Sequence, residues 1–213
     1  ISLIQDIIII TLLFSLFAIS HTILASSKTK QILVEKLGEK IAFYRIFYNI
    51  SSIIILLFIY TVSPKPKEII YDLQFPFDIL IFIVQFFSIL GLMWGISKVN
   101  LKEFLGVSQI KRYMKNSYNI EELDEKMEFI IEGPFKFSRH PIYLFSILFL
   151  ALRPTMDLFY LIFFLNTVLY FYIGSYFEER KLVELFGHRY VEYQNKVPRL
   201  FPIKLFRTKV TDE

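Results

Sequence analysis

The stretch Leu158-Phe-Tyr-Leu-Ile-Phe-Phe-Leu-Asn-Thr-Val-Leu-Tyr-Phe-Tyr-Ile-Gly-Ser-Tyr-Phe177 runs for twenty residues without an Asp, Glu, Lys or Arg. Glu178-Glu-Arg-Lys181 follows at once. At 1.5 Å of rise per residue, such a run as a helix covers about 30 Å, the thickness of a bilayer's hydrocarbon core. Three more charge-free runs of similar length lie upstream, at Ile7–Ser27, Ile46–Pro64 and Ile79–Ser97. A fifth, His140–Leu152, has only 13 residues and is joined to the Leu158 run by Arg153-Pro-Thr-Met-Asp157. These two form a helical hairpin with a short or tilted first arm. Lipid offers no hydrogen bonds to a free backbone, and no segment alternates as a barrel strand would, so the spans are helices. The expected fold is all-α and polytopic, with about five transmembrane helices. Asp6 and the lack of Lys or Arg before the first span argue for a membrane helix over a cleaved secretory leader.

Composition agrees. Of 213 residues 54% are hydrophobic, above the 45–50% usual for soluble domains. The absence of Cys excludes disulfides, thiolate metal sites and a Cys nucleophile. Three scattered histidines, His21, His140 and His188, do not form a zinc pattern, and no metal is expected. The five spans divide the 24 Lys and Arg into alternating segments, with 21 on one side of the membrane and 3 on the other. The positive-inside rule then puts the N-terminus outside and the tail in the cytoplasm. The basic residues thus follow membrane topology, and the expected partner is the bilayer, not nucleic acid.

Residues 1–97 make a three-helix transmembrane region, and 98–213 a cytoplasmic loop, hairpin and tail, together one integrated domain. In the loop, Asn119-Ile-Glu-Glu122 resembles a helix N-cap, and Ile120, Leu123, Met127, Ile130 and Ile131 share one helical face, as for an amphipathic helix on the membrane. In the tail, Leu182, Leu185, Phe186, Tyr190 and Tyr193 keep helical spacing until the prolines of Val197-Pro-Arg-Leu-Phe-Pro202.

Two places can carry chemistry. Arg139 and His140 precede Pro141, which suits a first helical turn. Free N–H groups and the helix dipole there favour an anion such as a ligand carboxylate. On spacing alone, Arg139 serves equally well as an anchor to lipid phosphate. Glu178 and Glu179 stand at the end of the last span, where electrostatics disfavour them. They are either a site that meets a ligand or half of an ion pair with Arg180, Lys181 or Arg139. His21 is expected to be an interfacial polar residue, and His188 solvated. No hydrolase elbow, P-loop or Rossmann fingerprint is present.

Gly133-Pro-Phe, Arg139-His-Pro-Ile-Tyr143, Glu178-Glu179-x-x-Leu182, Phe186-Gly-x-x-Tyr190-x-x-Tyr193 and Val197-Pro…Pro202 together resemble the isoprenylcysteine carboxyl methyltransferase superfamily. Phospholipid methyltransferases end similarly. A narrower resemblance spans most of the chain: His21 with Ala25, Tyr44-Arg-x-x-Tyr48, Asn100…Gly106-x-x-Gln109 and Pro154-Thr-Met156 are similar to the NnrU family and its methanethiol S-methyltransferase relatives. The resemblance implies a membrane S-adenosylmethionine-dependent methyltransferase, its cofactor entering from the cytoplasm and capped by the tail. It implies cofactor binding at Gln109, Met127, Glu128, Phe129, Ile130, Phe135, His140, Pro141, Ile142, Tyr143 and Glu178, with Arg139 added by the anion argument. His140, Glu178 and Glu179 are the implied catalytic candidates, and a small thiol or lipophilic molecule the acceptor. The same resemblance allows a non-catalytic NnrU-like accessory or sensor, or a phospholipid methyltransferase. Three positions depart from the families: Gly174 stands where prenylcysteine enzymes carry Arg, which argues against that acceptor, and Leu101 and Ser108 replace His and Arg of the thiol enzymes.

Overall fold

The computed structural model describes residues 2–120 and 127–202. In chain order its elements are α1 (Leu3–Ala25), α2 (Ser27–Leu37), α3 (Tyr44–Val62), β1 (Ile69–Asp72), α4 (Phe77–Ile96), α5 (Leu101–Leu105), α6 (Val107–Met114), α7 (Pro141–Ala151), β2 (Thr155–Asp157), α8 (Leu158–Phe186) and α9 (His188–Lys196). Single 3-10 stretches at Gly38–Phe43 and Gly133–Lys136 connect some of them. The fold is all-α and polytopic. Four helical segments, Leu3–Ala25, Ser27–Val62, Phe77–Ile96 and Leu158–Phe186, are long and apolar enough to cross a membrane, and α7 is a shorter apolar helix.

The chain packs as two compact units, Ile1–Pro66 with Val99–Glu128, and Lys67–Lys98 with Phe129–Glu213. In the first unit, α1 and α3 pair, and their outward residues stay apolar, as lipid-facing surfaces do. His21 on α1 meets the Tyr48 hydroxyl of α3, 2.7 Å from its Nε2. Gly106 (φ +91°) ends α5 where a Cβ would come within 2.8 Å of the Ile46 backbone nitrogen, so only glycine lets α5 lie against the start of α3.

In the second unit, α4 docks on α7 through a stripe of small residues, Ser88, Gly91 and Gly95. A Cβ on Gly91 would lie 2.4 Å from the Phe145 ring, and one on Gly95 3.0 Å from Ile142. Small residues at such a seam let helices approach without a hydrophobic driving force. The turn expected at Arg153–Asp157 is instead partly a strand: β2 pairs antiparallel with β1, and the Thr155 hydroxyl donates to Asp72. Asp157 then caps α8, accepting from the Tyr160 N–H.

Two further expectations change. The helix of the last span does not end near Phe177. It continues through Glu178 and Glu179 to Phe186, because the charged stretch after the span is itself good helix sequence and the chain turns only at Gly187 (φ +59°). Glu178 and Glu179 are therefore not opposed by a helix terminus. The tail is accordingly two helical pieces broken at Gly187, the second being α9. The amphipathic loop helix falls partly on 121–126, outside the described residues. Met127–Ile131, which are described, are not helical, and Gly133-Pro134 just beyond them would stop a helix.

Candidate functional site

The loop from Gly133 to His140 sets up the site. Gly133 (φ +60°) passes within 3.2 Å of the Trp94 indole and the Lys98 side chain, measured to where a Cβ would stand. After the 3-10 turn, Ser138 is fully buried and donates its hydroxyl to the Arg199 carbonyl, while the amides of Arg139 and His140 donate to the carbonyls of Pro198 and Arg199. The loop and the Val197–Leu200 strap thus hold each other by main-chain bonds. His140 sits at the N-cap of α7 and Pro141 opens its first turn, as expected.

Arg139 is the hub. Its Nε and Nη2 donate to the two oxygens of Glu179 at 2.7 and 2.9 Å, and its Nη1 donates to the carbonyls of Gln194 and Val197 at 2.8 and 2.7 Å. Four of the five guanidinium N–H groups are thereby committed inside the protein. Glu179 is 3% exposed and gathers three more groups: His140 Nε2 at 3.1 Å, the Gln194 amide at 3.0 Å and Arg199 Nε at 3.4 Å. A carboxylate buried so deeply persists only with such compensation. Of the alternatives that spacing left open for the Glu pair, Glu179 is thus an internal ion pair with Arg139.

Glu178 is different. Its side chain is 39% exposed. One oxygen accepts from the Tyr143 hydroxyl at 3.0 Å and lies 3.5 Å from His140 Nδ1. His140 thus stands between the two carboxylates, one ring nitrogen toward each. Its ring stacks on Tyr143 (centroids 5.3 Å, planes 6° apart), and Tyr143 stacks on Phe171 of α8 (4.7 Å, 2°). With both ring faces covered, Tyr143 has little freedom beyond its hydroxyl, which fixes the Glu178 carboxylate from one side.

The tail closes over the loop. Tyr193 donates to the Phe135 carbonyl, and Phe129 packs against Phe186, Tyr190 and Tyr193. Burial pushes the phenols of Tyr190 and Tyr193 well above their ordinary range, so both remain neutral. Beside Glu179 an open cleft of about 260 Å³ is lined by Tyr176, Glu179, Arg180, Val183, Glu184, Gln194 and Arg199.

Of the residues singled out from sequence, the structure brings Arg139, His140, Tyr143, Glu178 and Glu179 together. Phe135 and Phe129 lie in the tail-packed loop, and Ile142 faces Gly95 of α4. Gln109, Met127 and Glu128 belong to the first unit. Gln109 is buried there, donating to the Glu103 carbonyl, with no partner for its own oxygen among the described residues, beside a bidentate Arg112–Glu103 pair. Sequence reading missed Ser138, Gln194 and Arg199. Only Arg199 carried a signal, as a cation between two prolines that stop the tail.

No family model and no solved structure matches the chain. Methanethiol S-methyltransferase 1 of Bradyrhizobium diazoefficiens is 28% identical over 201 residues, covering 93% of this chain and 67% of that protein. The methanethiol S-methyltransferase of Crocosphaera subtropica is 27% identical over 209 residues (94% and 76%). That of Pseudomonas deceptionensis is 26% identical over 203 residues (90% and 71%). Along nine-tenths or more of its length, the chain is similar to proteins named methanethiol S-methyltransferase, in agreement with the resemblance drawn from its motifs.

Proposed function

We propose that this protein is an integral membrane S-adenosylmethionine-dependent methyltransferase acting on a small thiol or lipophilic acceptor, its N-terminus outside and its site on the cytoplasmic face. The observation that carries the reading is Glu178, a half-exposed carboxylate held by Tyr143 and His140 where an apolar span gives way to charge. The similarity to methanethiol S-methyltransferases and the charge asymmetry of the spans support it.

The residues present suit the cofactor's chemistry. Its sulfonium is a cation and its methionine end a carboxylate. Glu178 offers the anion, and the opening turn of α7 offers amides without intrahelical acceptors at the positive end of the helix dipole. Bound S-adenosylmethionine would supply an electrophilic methyl group. Once a bound cofactor covers its exposed side, Glu178 would offset positive charge with water excluded, where electrostatic terms are larger. Its carboxylate is also the group placed to take a proton from a thiol, and a thiolate is the reactive form of such an acceptor. His140, fixed between Glu178 and Glu179, would hold the two carboxylates in place and share the proton. Arg139 and Glu179 are positioning residues in this reading: their charges are satisfied by each other, and their work is to fix loop, helix and strap.

The test is transfer of tritiated methyl from S-adenosylmethionine to methanethiol, phospholipid or prenylcysteine acceptors by purified protein, alongside a thermal shift with S-adenosylhomocysteine, since a ligand that binds the folded state raises its stability. Labelled dimethyl sulfide is expected. No transfer to any acceptor and no thermal shift overturn the reading.

A further inference from the structure

The cleft beyond Glu179 is not used by the proposed reaction, and its lining has a chemistry of its own. Arg199 lays its guanidinium over Tyr172 and Tyr176, 5.7 and 5.6 Å from the ring centroids. Apart from the 3.4 Å approach of its Nε to Glu179, no hydrogen-bond acceptor among the described residues meets it, and none meets Arg180. Two guanidinium groups therefore border one cavity with donors to spare, while the Glu179 charge beside them is already balanced by Arg139. Glu184, the remaining carboxylate of the lining, is exposed.

The place of the cleft along α8 says what occupies it. Leu165, Leu169, Tyr172 and Tyr176 are all at least half exposed and recur at helical spacing, forming one apolar line along α8 that leads to the cleft. From Leu158 to Tyr176 the helix rises about 27 Å, close to the ~30 Å of a hydrocarbon core. Arg180, one turn beyond, then falls at headgroup depth, while Arg199, stacked over Tyr172 and Tyr176, lies with these rings at the inner edge of the interfacial layer that aromatic residues prefer. A bilayer lipid lying on this line carries its phosphate to that depth.

We propose that the cleft binds the headgroup of an ethanolamine-type phospholipid, phosphate on Arg180 and Arg199, amine at Glu184, and acyl chain along Leu165–Tyr176. Guanidinium groups are the preferred partners of phosphate because their paired N–H groups match its oxygens. The mixed charge of the lining selects a zwitterionic headgroup over a purely anionic one. The lipid is a bound companion and not a methyl acceptor, since Glu178 faces α7 and not this cleft. The proposal stands apart from the transferase reading.

The full chain, purified in detergent, is titrated by thermal shift with dihexanoyl phosphatidylethanolamine, dihexanoyl phosphatidylglycerol and inorganic phosphate. Phosphatidylethanolamine is expected to raise the melting temperature at the lowest concentration. Arg180→Gln raises its half-saturating concentration about tenfold, Arg180→Lys about threefold, and Glu184→Gln weakens phosphatidylethanolamine but not phosphatidylglycerol. Arg180 is exposed and outside the proposed transfer machinery, so the S-adenosylhomocysteine shift of Arg180→Gln stays as in the parent, which separates this proposal from that one. An unchanged half-saturation in Arg180→Gln overturns it, as does inorganic phosphate binding as tightly as the lipid. Tritiated methyl appearing on the phospholipid overturns the companion role.

Discussion

Each unit of this protein buries a glutamate against a bidentate arginine, yet the two pairs do different work. In the first unit Glu103 and Arg112 join the neighbouring short helices α5 and α6, and Arg112 keeps 22% of its side chain exposed. In the second, Glu179 and Arg139 lie forty positions apart, 3% and 8% exposed, and tie the loop, α8, α9 and the strap into one network. When Glu103 is removed from the first pair, the partly exposed Arg112 can fall back on water. The second leaves a buried ion among groups arranged to receive its partner. How much an ion pair matters here follows from its burial and from the number of elements it joins.

Removing one partner of the deeper pair is the sharpest way to break this contrast. Glu179→Ala should cost about 3–5 kcal/mol, because Arg139 is left buried and unpaired. Thermal unfolding in detergent reads this, and a loss below about 1 kcal/mol would refute the network's importance. The adjacent carboxylate should behave in the opposite sense. Glu178→Gln is expected to lower methyl transfer about 100-fold, the scale of losing one electrostatic group at a reacting centre, with the melting temperature nearly unchanged because Glu178 is half exposed. An equal loss of stability in Glu178→Gln and Glu179→Gln would erase the distinction drawn between them.

A third test addresses the scaffold beneath the second pair. Gly91→Val should destabilise by about 1–3 kcal/mol through overpacking, since its Cβ would meet the Phe145 ring at 2.4 Å. Unchanged unfolding would mean that α4 and α7 are not close-packed at this seam. The smallest effect is expected in the first unit. Glu103→Ala should cost about 1 kcal/mol, as for pairs whose partner reaches solvent. A cost matching that of Glu179→Ala would show that burial is not what separates the two pairs.

Much of this architecture was legible in the sequence where the signal is local. The charge-free runs mark the long helices because a bilayer imposes length and apolarity on any helix that crosses it. Pro141 marks the start of α7 because a residue without an N–H belongs in a first turn. The helical spacing of Leu182, Leu185 and Phe186 was legible, but not that the span runs into them without a break, because charge ends a membrane span without ending a helix. The β1–β2 pairing escaped for another reason: Ile69–Asp72 and Thr155–Asp157 are short and distant in sequence, and neither alternates strongly.

The site divides in the same way. Residue types and their order pointed to Arg139, His140, Tyr143, Glu178 and Glu179, but left open whether the arginine and the glutamates meet a ligand or each other. Spacing along one chain states which face of a helix a residue occupies, not which distant face it meets. The sequence by itself determined an all-α membrane protein, its span lengths and the charged ends of those spans, because each follows from the solvent a segment must satisfy. Only the tertiary structure decided that Arg139 spends itself on Glu179 and the strap while Glu178 stays half exposed beside Tyr143. That choice depends on how α8 is rotated against α7 and α9, a rotation set by packing among residues far apart in the chain.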